Sequence, residues 1–195
     1  PFVYKDNEGF TVVVGAVENT NANTSITDVR VRVIFYDDYS PQPLEIIEEK
    51  TVLDVIPPLG KSPYVIRSSS ANPNITQVSV SLGDGFHTSP SKSNQLSIEI
   101  SDIFLDDTLH FSGILKNGPA PINNTNVYLA FYDVFDPPRI VGLSIIPIGN
   151  IESNEMVNFN FNEKIQKNAV GFILFSESNV FFSNPIDMKI PESDI

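Results

Sequence analysis

The sequence repeats itself once, and this repeat limits the folds that the chain can adopt. The first copy has a glycine, an apolar pair and an asparagine in residues 15–19, followed by an apolar run in residues 31–37. The second copy has the same order in residues 113–117 and 127–133, and residues 78–82 match residues 170–174. Because ordered matches over the full length are rare by chance, we predict two similar domains, residues 1–98 and 99–195.

Within each copy, apolar and polar residues alternate, which is typical of strands that bury one face. In residues 29–33, for example, the valines share one face and the arginines the other. Loops rich in Pro, Asn and Gly separate the runs at residues 41–43, 57–60, 118–126 and 136–138. About seven strands in about 97 residues predict an all-β fold of two tandem antiparallel immunoglobulin-like β-sandwich domains. Residues 44–55 contain helix formers, but their counterpart, residues 139–146, is typical of a strand, so we predict strand in both copies.

Composition excludes several classes of function. The chain has no cysteine, which rules out cysteine nucleophiles, thiol redox enzymes and thiolate metal sites. The formal net charge of −12 disfavours nucleic acid as a partner, since phosphate backbones attract lysine and arginine. No apolar run approaches the roughly 20 residues of a membrane span, so we expect none in this chain. The chain begins with Pro1, which indicates processing or trimming and leaves room for a removed signal peptide.

The residues that recur in both copies are interpreted as determinants of the fold. The glycines would let a neighbouring strand or ring approach the backbone, and the asparagines would bond the backbone of their own loops. In each Phe-Tyr-Asp triplet, Phe would point into the sandwich, Tyr outward or into a corner, and Asp would cap the following turn. A unique active site would not be duplicated. The predicted structural positions are Gly15, Asn19, Phe35, Tyr36, Asp37, Gly113, Asn117, Phe131, Tyr132 and Asp133.

Each copy has a glycine, then an asparagine, and later a Phe-Tyr-Asp triplet. In this order of residues the chain resembles the FxLYD family of small β-sandwich modules of prokaryotic cell envelopes. The segments ending in Tyr36-Asp37 and Tyr132-Asp133 keep the Tyr and Asp of the family motif. They have Val33 or Leu129 where the family has Phe, and Phe where it has Leu. The resemblance covers nearly the whole chain in two copies. It implies an extracytoplasmic protein, secreted or anchored through a segment outside this chain, without defined catalytic residues.

Carboxylates provide the remaining candidate chemistry. Asp106 and Asp107 lie in a predicted loop near the domain junction, where loop carboxylates and carbonyls could bind calcium. No calcium-loop spacing occurs, and solvated loop carboxylates are the alternative interpretation. No other cofactor is expected. A glycosidase would need two facing carboxyls, and no Asp/Glu pair is singled out by the sequence. His87 and His110 are interpreted as exposed or hydrogen-bonded histidines.

Two further groups of residues are candidates for surface roles. Three Asn-x-Ser/Thr triplets are candidate glycosylation sites, at Asn23, Asn74 and Asn123, in stretches predicted as loops. Aromatic residues near strand ends are candidate contacts, namely Phe2, Tyr4, Phe181 and Phe182. Since adjacent strand residues face opposite sides, one of Phe181 and Phe182 is expected to be exposed.

These observations predict a non-catalytic structural or protein-interaction module outside the cytoplasm. Its partners would be other envelope proteins or further copies of itself, bound by pairing of edge strands in an oligomer or filament, with residues 1–4 as a candidate donor. The first alternative is a module that binds a ligand with calcium or through glycan recognition. The second is a small hydrolase that uses a carboxylate pair.

Overall fold

The computed structural model describes residues 1–39 and 41–191, and this part of the chain is built from strands joined by turns, without a helix. The prediction of an all-β fold is confirmed. Residues 44–55 contain strands rather than a helix, as predicted. The seventeen strands are β1 (Phe2–Lys5), β2 (Thr11–Glu18), β3 (Ser25–Thr27), β4 (Arg30–Tyr36), β5 (Glu45–Lys50), β6 (Val55–Ile56), β7 (Lys61–Arg67), β8 (Gln77–Leu82), β9 (His87–Ser89), β10 (Ser93–Leu105), β11 (Leu109–Lys116), β12 (Ile122–Tyr132), β13 (Ile140–Ile151), β14 (Met156–Glu163), β15 (Gly171–Glu177), β16 (Phe181–Ser183) and β17 (Ile186–Lys189).

The chain divides into two compact units. Unit 1 comprises residues 1–91 with 139–141, and unit 2 comprises residues 92–138 with 142–195. The division after Ser91 lies upstream of the boundary predicted at residue 98, because the chain passes directly into β10, which already belongs to unit 2. Residues 98 and 99, at which the two predicted domains meet, both lie inside β10.

Strand pairing follows the same order in both units. In unit 1, β1-β2-β7 form one three-stranded sheet and β5-β4-β8 another, while β6-β3-β9 form a third. In unit 2, β10, β11 and β14 are consecutive, and so are β13, β12 and β15, within one eight-stranded sheet. The repeat in the sequence is therefore also a repeat of strand order.

Each unit has its own apolar core, made by the alternation that the sequence shows. Strand β4 buries Val31, Val33 and Phe35 and turns the intervening residues outward. These side chains pack with Val13 of β2 and Ile66 of β7.

The core of unit 2 is aromatic. Phe111 of β11 lies with its ring centroid 5.8 Å from that of Phe159 and 5.7 Å from that of Phe172. Phe172 is in turn 5.7 Å from Phe131 of β12. Rings from four strands thus interlock without any disulfide, as the cysteine-free sequence requires.

Two local predictions are corrected by the structure. Strand β12 begins at Ile122, inside the stretch predicted as a loop, so Asn123 lies in a strand. The match of residues 78–82 with 170–174 is displaced by two residues, because Val78 pairs with Phe35 whereas Phe172 pairs with Phe131. Val78 therefore corresponds to Phe172. The two-residue displacement preserves the alternation of faces, and for this reason the pattern alone did not reveal it.

Candidate functional site

The two recurring glycines lie beneath aromatic rings of the neighbouring strand. Gly15 pairs with Tyr64, and Gly113 pairs with Phe159 at the corresponding place in unit 2. A Cβ on Gly15 would lie 2.6 Å from Cζ of Tyr64, and one on Gly113 would lie 2.8 Å from Cζ of Phe159. Only glycine leaves room for these rings, so both positions serve packing.

Asn19 is buried and uses its side chain to hold loop backbone together. Its Nδ2 donates to the carbonyl oxygens of Thr24 at 2.8 Å, Ile56 at 3.2 Å and Pro57 at 3.1 Å. Its Oδ1 accepts a hydrogen bond from the backbone N–H of Asn21. A single amide thus satisfies backbone groups from two loops.

Asn117 has the same role in unit 2. Its Nδ2 donates to the carbonyl oxygens of Ala120 and Glu152, each at 2.8 Å, and its Oδ1 accepts from the N–H of Gly118. A longer contact of 3.4 Å joins Nδ2 to the carbonyl oxygen of Ile151. The recurring asparagines therefore occupy equivalent backbone sites.

The Phe-Tyr-Asp triplets are also engaged within their own units. Phe35 and Phe131 are buried, Tyr36 is half-buried and Tyr132 is buried. Asp37 accepts a hydrogen bond from the N–H of Tyr39.

In unit 2, Asp133 accepts a hydrogen bond from the N–H of Phe135. The hydroxyl of Tyr132 donates to Oδ1 of Asp187 at 2.6 Å. Burial, and then the Asp187 carboxylate, raise the pKa of Tyr132 above its ordinary value of 10.0. In both triplets, the Phe is buried and the Asp accepts a backbone hydrogen bond in the following turn. In unit 2, the Tyr also donates its hydroxyl to a carboxylate.

An open cavity of about 270 Å³ lies on the outward face of β10, β11 and β14. Phe111 and Phe161 are among the residues that line it, and two rows of side chains cross the three strands on this face. The first row is Asp102, Ser112 and Asn160, and the second is Phe104, His110 and Asn162.

A β-bulge in β10 determines which side chains of this strand lie on the outward face. The register with β11 shifts between Ile100 and Asp102, so Ser101 is an extra residue in the strand. Before the bulge, Leu96, Ile98 and Ile100 are the less exposed residues, and after it Ile103 and Leu105 are. The extra residue therefore turns Asp102 and Phe104 outward.

The second row is ordered by ring stacking and by the turn between β10 and β11. The rings of Phe104 and His110 are stacked, with centroids 4.3 Å apart and planes 9° from parallel. Nε2 of His110 lies 2.9 Å from Oγ1 of Thr108 and 3.1 Å from Oδ2 of Asp106. Oγ1 of Thr108 also donates to Oδ1 of Asn162.

The carboxylate of Asp106 is held ionised by these neighbours. The backbone N–H of Thr108 donates to its Oδ1 at 2.8 Å, and this bond is the main reason that the pKa of Asp106 lies below its ordinary value of 3.8. The side chain of His110 lowers the pKa further.

This cluster does not have the geometry of an activated nucleophile. In a Ser-His-Asp triad, the carboxylate and the hydroxyl bond different ring nitrogens of the histidine. Here the carboxylate of Asp106 and the hydroxyl of Thr108 both contact Nε2 of His110. The cluster instead presents a fixed ring flanked by hydrogen-bonding groups. In the first row, Asp102, Ser112 and Asn160 have no side-chain hydrogen bond to another part of the chain that the structure describes.

The carboxylates predicted to bind calcium do not form a cluster. Asp106 is directed to Thr108 and His110, and Asp107 is exposed in the same turn. Among residues 1–39 and 41–191, no three His, Asp or Glu side chains are grouped so that they could bind a metal. His87 is exposed in β9, within unit 1.

The candidate contact residues occupy different environments. Phe2 and Tyr4 are half-buried on one face of β1, with ring centroids 5.7 Å apart, and β1 is paired with β2. Residues 2–4 of the candidate donor segment therefore already pair with β2, within a sheet of their own unit in which β1 is an edge strand. Phe181 is buried and Phe182 is half-buried, so Phe182 is the ring nearer the surface.

The candidate glycosylation residues Asn23, Asn74 and Asn123 are all exposed. Asn23 and Asn74 lie in turns, whereas Asn123 lies at the start of β12. The hydroxyl of Thr125, in the third triplet, is buried and has no hydrogen-bond partner within the described residues.

A further candidate, missed from the sequence, is the free edge of β8. In unit 2, β15 pairs with β12 on one side and with β17 and β16 on the other. In unit 1, the corresponding strand β8 pairs with β4 alone among the described residues. In unit 2 the chain returns beside β15 as β17, whereas in unit 1 the chain after β9 continues into β10 of unit 2.

Comparisons with known proteins do not assign the chain to a family. No protein-family model matches it, and no curated protein sequence matches it. Among solved structures, red sea bream transglutaminase matches this chain with 11% sequence identity and a TM-score of 0.35. The match covers 98% of this chain and 31% of the transglutaminase chain. In the part of the chain that the structure describes, no helix is long and apolar enough to cross a membrane.

Proposed function

We propose that the chain is a non-catalytic, extracytoplasmic interaction module of two tandem immunoglobulin-like β-sandwiches, which binds partners by strand pairing at the free edge of β8. The observation that carries the proposal is the difference between the units: β17 covers the edge of β15, and nothing described covers the corresponding edge of β8. The recurring strand orders β1-β2-β7 and β5-β4-β8 support two facing sheets in unit 1. The resemblance to FxLYD modules supports an envelope role.

Backbone geometry shows which groups of β8 are available. The N–H of Gly83 donates to the carbonyl oxygen of Arg30, so Gly83 and Arg30 form a hydrogen-bonded antiparallel pair. Backbone directions alternate along a strand, so residues 77, 79 and 81 face β4. Val78, Val80 and Leu82 therefore direct their N–H and C=O groups to the free edge.

Unit 2 provides an independent check of this assignment. The N–H of Ile190 donates to the carbonyl oxygen of Val170, which places Phe172 and Leu174 in hydrogen-bonded pairs with β17. Phe172 and Leu174 correspond to Val78 and Val80. The edge that β17 occupies in unit 2 is thus the edge left open in unit 1.

The free edge of β8 lacks the features that normally prevent strand addition. In the sheets β1-β2-β7 and β5-β4-β8, the other edge strands carry charges or proline. These are Lys5 in β1, Glu45 and Glu48 in β5, and Pro63 and Arg67 in β7. Strand β8 has the sequence Gln-Val-Ser-Val-Ser-Leu, without a charge or a proline. An unprotected edge of six residues is suited to strand addition.

A donor peptide tests the proposal. The probe is a hexapeptide with the sequence of residues 185–190, which includes the strand that covers β15. We expect saturable NMR shifts and slower hydrogen exchange at the amides of Val78, Val80 and Leu82 when the peptide is added to the full chain. Val80→Pro should abolish the effect by removing a free-edge N–H, and Val80→Thr should retain it. An absence of saturable shifts in β8 at millimolar peptide would reject the proposal.

A second candidate function, glycan binding, is favoured by the cavity beside Phe104. A sugar ring could pack its apolar face on the Phe104 ring while its hydroxyls bond Asp102, Asn160 and Asn162. Titration of cellotetraose and chitotetraose, followed by calorimetry, tests this function. Binding that is lost in Phe104→Ala but retained in Asn158→Ala, outside the cavity, is the expected result. Identical titrations for all three proteins would contradict it.

A further inference from the structure

We infer that the strand that covers the β8 edge is β8 of a second copy of this chain, paired antiparallel about a two-fold axis at Val80. The inference rests on the proposed strand-pairing function and names its partner. It follows from the register that the free-edge groups permit and from the side chains that this register brings together.

The free edge of β8 is self-complementary in its backbone groups. An antiparallel pair forms two hydrogen bonds between directly opposed residues whose groups face each other. With Val80 opposite Val80 of the second copy, Val78 lies opposite Leu82 of that copy, and Leu82 opposite its Val78. All three free-edge residues then form hydrogen-bonded pairs, so the two copies share six backbone hydrogen bonds. The sheet β5-β4-β8 becomes a continuous sheet of six strands.

The side chains match in the same register. Leu82 is 56% exposed, and the pairing places it beside Val78, which packs on the core of unit 1. On the outer face, Ser79 lies opposite Ser81 of the second copy, so no like charges oppose each other. A slip of two residues in one direction would place Asp84 opposite Val78, which sets a carboxylate beside an apolar side chain. The sequence of β8 therefore favours the register centred on Val80 over this slip.

The area available to this contact is small. Stable protein interfaces bury about 800 Å² on each partner, more than one six-residue strand edge provides. We therefore expect a concentration-dependent dimer, with a dissociation constant between about 10 µM and 1 mM.

Sedimentation velocity of the full chain from 5 µM to 1 mM measures this association. The variant Ser79→Lys/Ser81→Lys places lysines directly opposite lysines, and we expect its dissociation constant to rise at least about tenfold. The variant Ser79→Glu/Ser81→Glu should behave alike. An equimolar mixture of the two should recover association, because each lysine then meets a glutamate. Asn158→Lys, at an exposed position of β14 opposite Ile114, is the control and should associate like the unmodified chain.

Cysteine cross-linking tests the register, and the chain is suited to it because it has no cysteine. Ser79 and Ser81 of the second copy form a non-hydrogen-bonded pair, whose Cα atoms lie about 4.5 Å apart and permit a disulfide. A mixture of Ser79→Cys and Ser81→Cys chains should cross-link at least about fivefold more than either variant alone. Predominant cross-linking of Ser79→Cys with itself would overturn the register centred on Val80.

The outcomes separate this inference from the proposed function. If the unmodified chain stays monomeric to 1 mM, or if the mixed-charge pair fails to recover association, self-pairing at β8 is overturned. The strand-pairing function still stands in that case if the hexapeptide binds β8. If neither the peptide nor a second copy binds, both the function and the inference are rejected.

Discussion

The buried asparagines offer the most direct test of how each unit is held together. Asn19→Ala removes the amide that joins two loops of unit 1, and Asn117→Ala does the same in unit 2. Each substitution takes away two N–H donors and one acceptor. About three hydrogen bonds are lost from the buried amide, at about 1 kcal/mol each, so we expect about 3 kcal/mol of destabilisation in the affected unit.

This loss is large enough to separate the two units in a thermal scan. For a unit of this size, 1 kcal/mol lowers Tm by about 4–8 °C, so the expected decrease is about 12–24 °C. Differential scanning calorimetry should show one transition shifted by Asn19→Ala and the other by Asn117→Ala. Asn158→Ala, at an exposed position of β14, is the control and should change stability by less than about 0.5 kcal/mol. If the free energy of unfolding of both asparagine variants lies within about 1 kcal/mol of that of this control, the two amides do not hold the loops together as we describe.

Three further predictions concern single side chains. Gly15→Ala should destabilise unit 1 by at least about 1–3 kcal/mol in urea unfolding, since the new Cβ overlaps the Tyr64 ring; a change below 0.5 kcal/mol would show that the ring moves freely. Lys92→Met should cost unit 2 about 3–5 kcal/mol, because its ammonium lies 2.7 Å from the carboxylate of Glu177, whose side chain is 4% exposed. Adding Glu177→Gln should restore part of that stability in the same assay, and no recovery would contradict the ion-pair explanation. The pKa of Asp106 is lower in the folded chain than its ordinary 3.8, so its stabilising effect is present above pH 4 and lost as the pH falls through the folded pKa; Asp106→Asn should flatten the acid limb of the stability curve for unit 2, and an unchanged limb would refute this.

Much of the architecture follows from short-range patterns in the sequence. Alternation in β4 and β14 identifies strands and their buried faces, because the face of a side chain depends only on its parity in the strand. The repeat identifies two units because two copies of the same fold need similar residues at equivalent positions. Asn19 and Asn117 could be identified from their type and position, although the loops that they join could not.

The features that the sequence did not reveal depend on long-range pairing. Nothing in residues 77–82 shows that no described strand pairs with their far edge, since that depends on where the chain goes after Pro90. The outward position of Phe104 depends on the extra residue Ser101, because simple alternation continued from Ile100 would assign Phe104 to the buried face. The boundary at residue 98 was placed within β10 because a long strand and a linker between two strands carry the same alternation.

Because of the bulge at Ser101, the cavity in unit 2 depends on the number of residues in β10 as well as on the residues that line the cavity. Deleting this one residue would exchange the inward and outward positions of the rest of β10 up to the turn. Ile103 and Leu105 would then face water, while Asp102 and Phe104 would be directed into the aromatic core. A single-codon deletion at this place should therefore be more damaging than any substitution of Ser101 itself, and related repeats that keep the cavity should keep the length of this strand even where its sequence has changed.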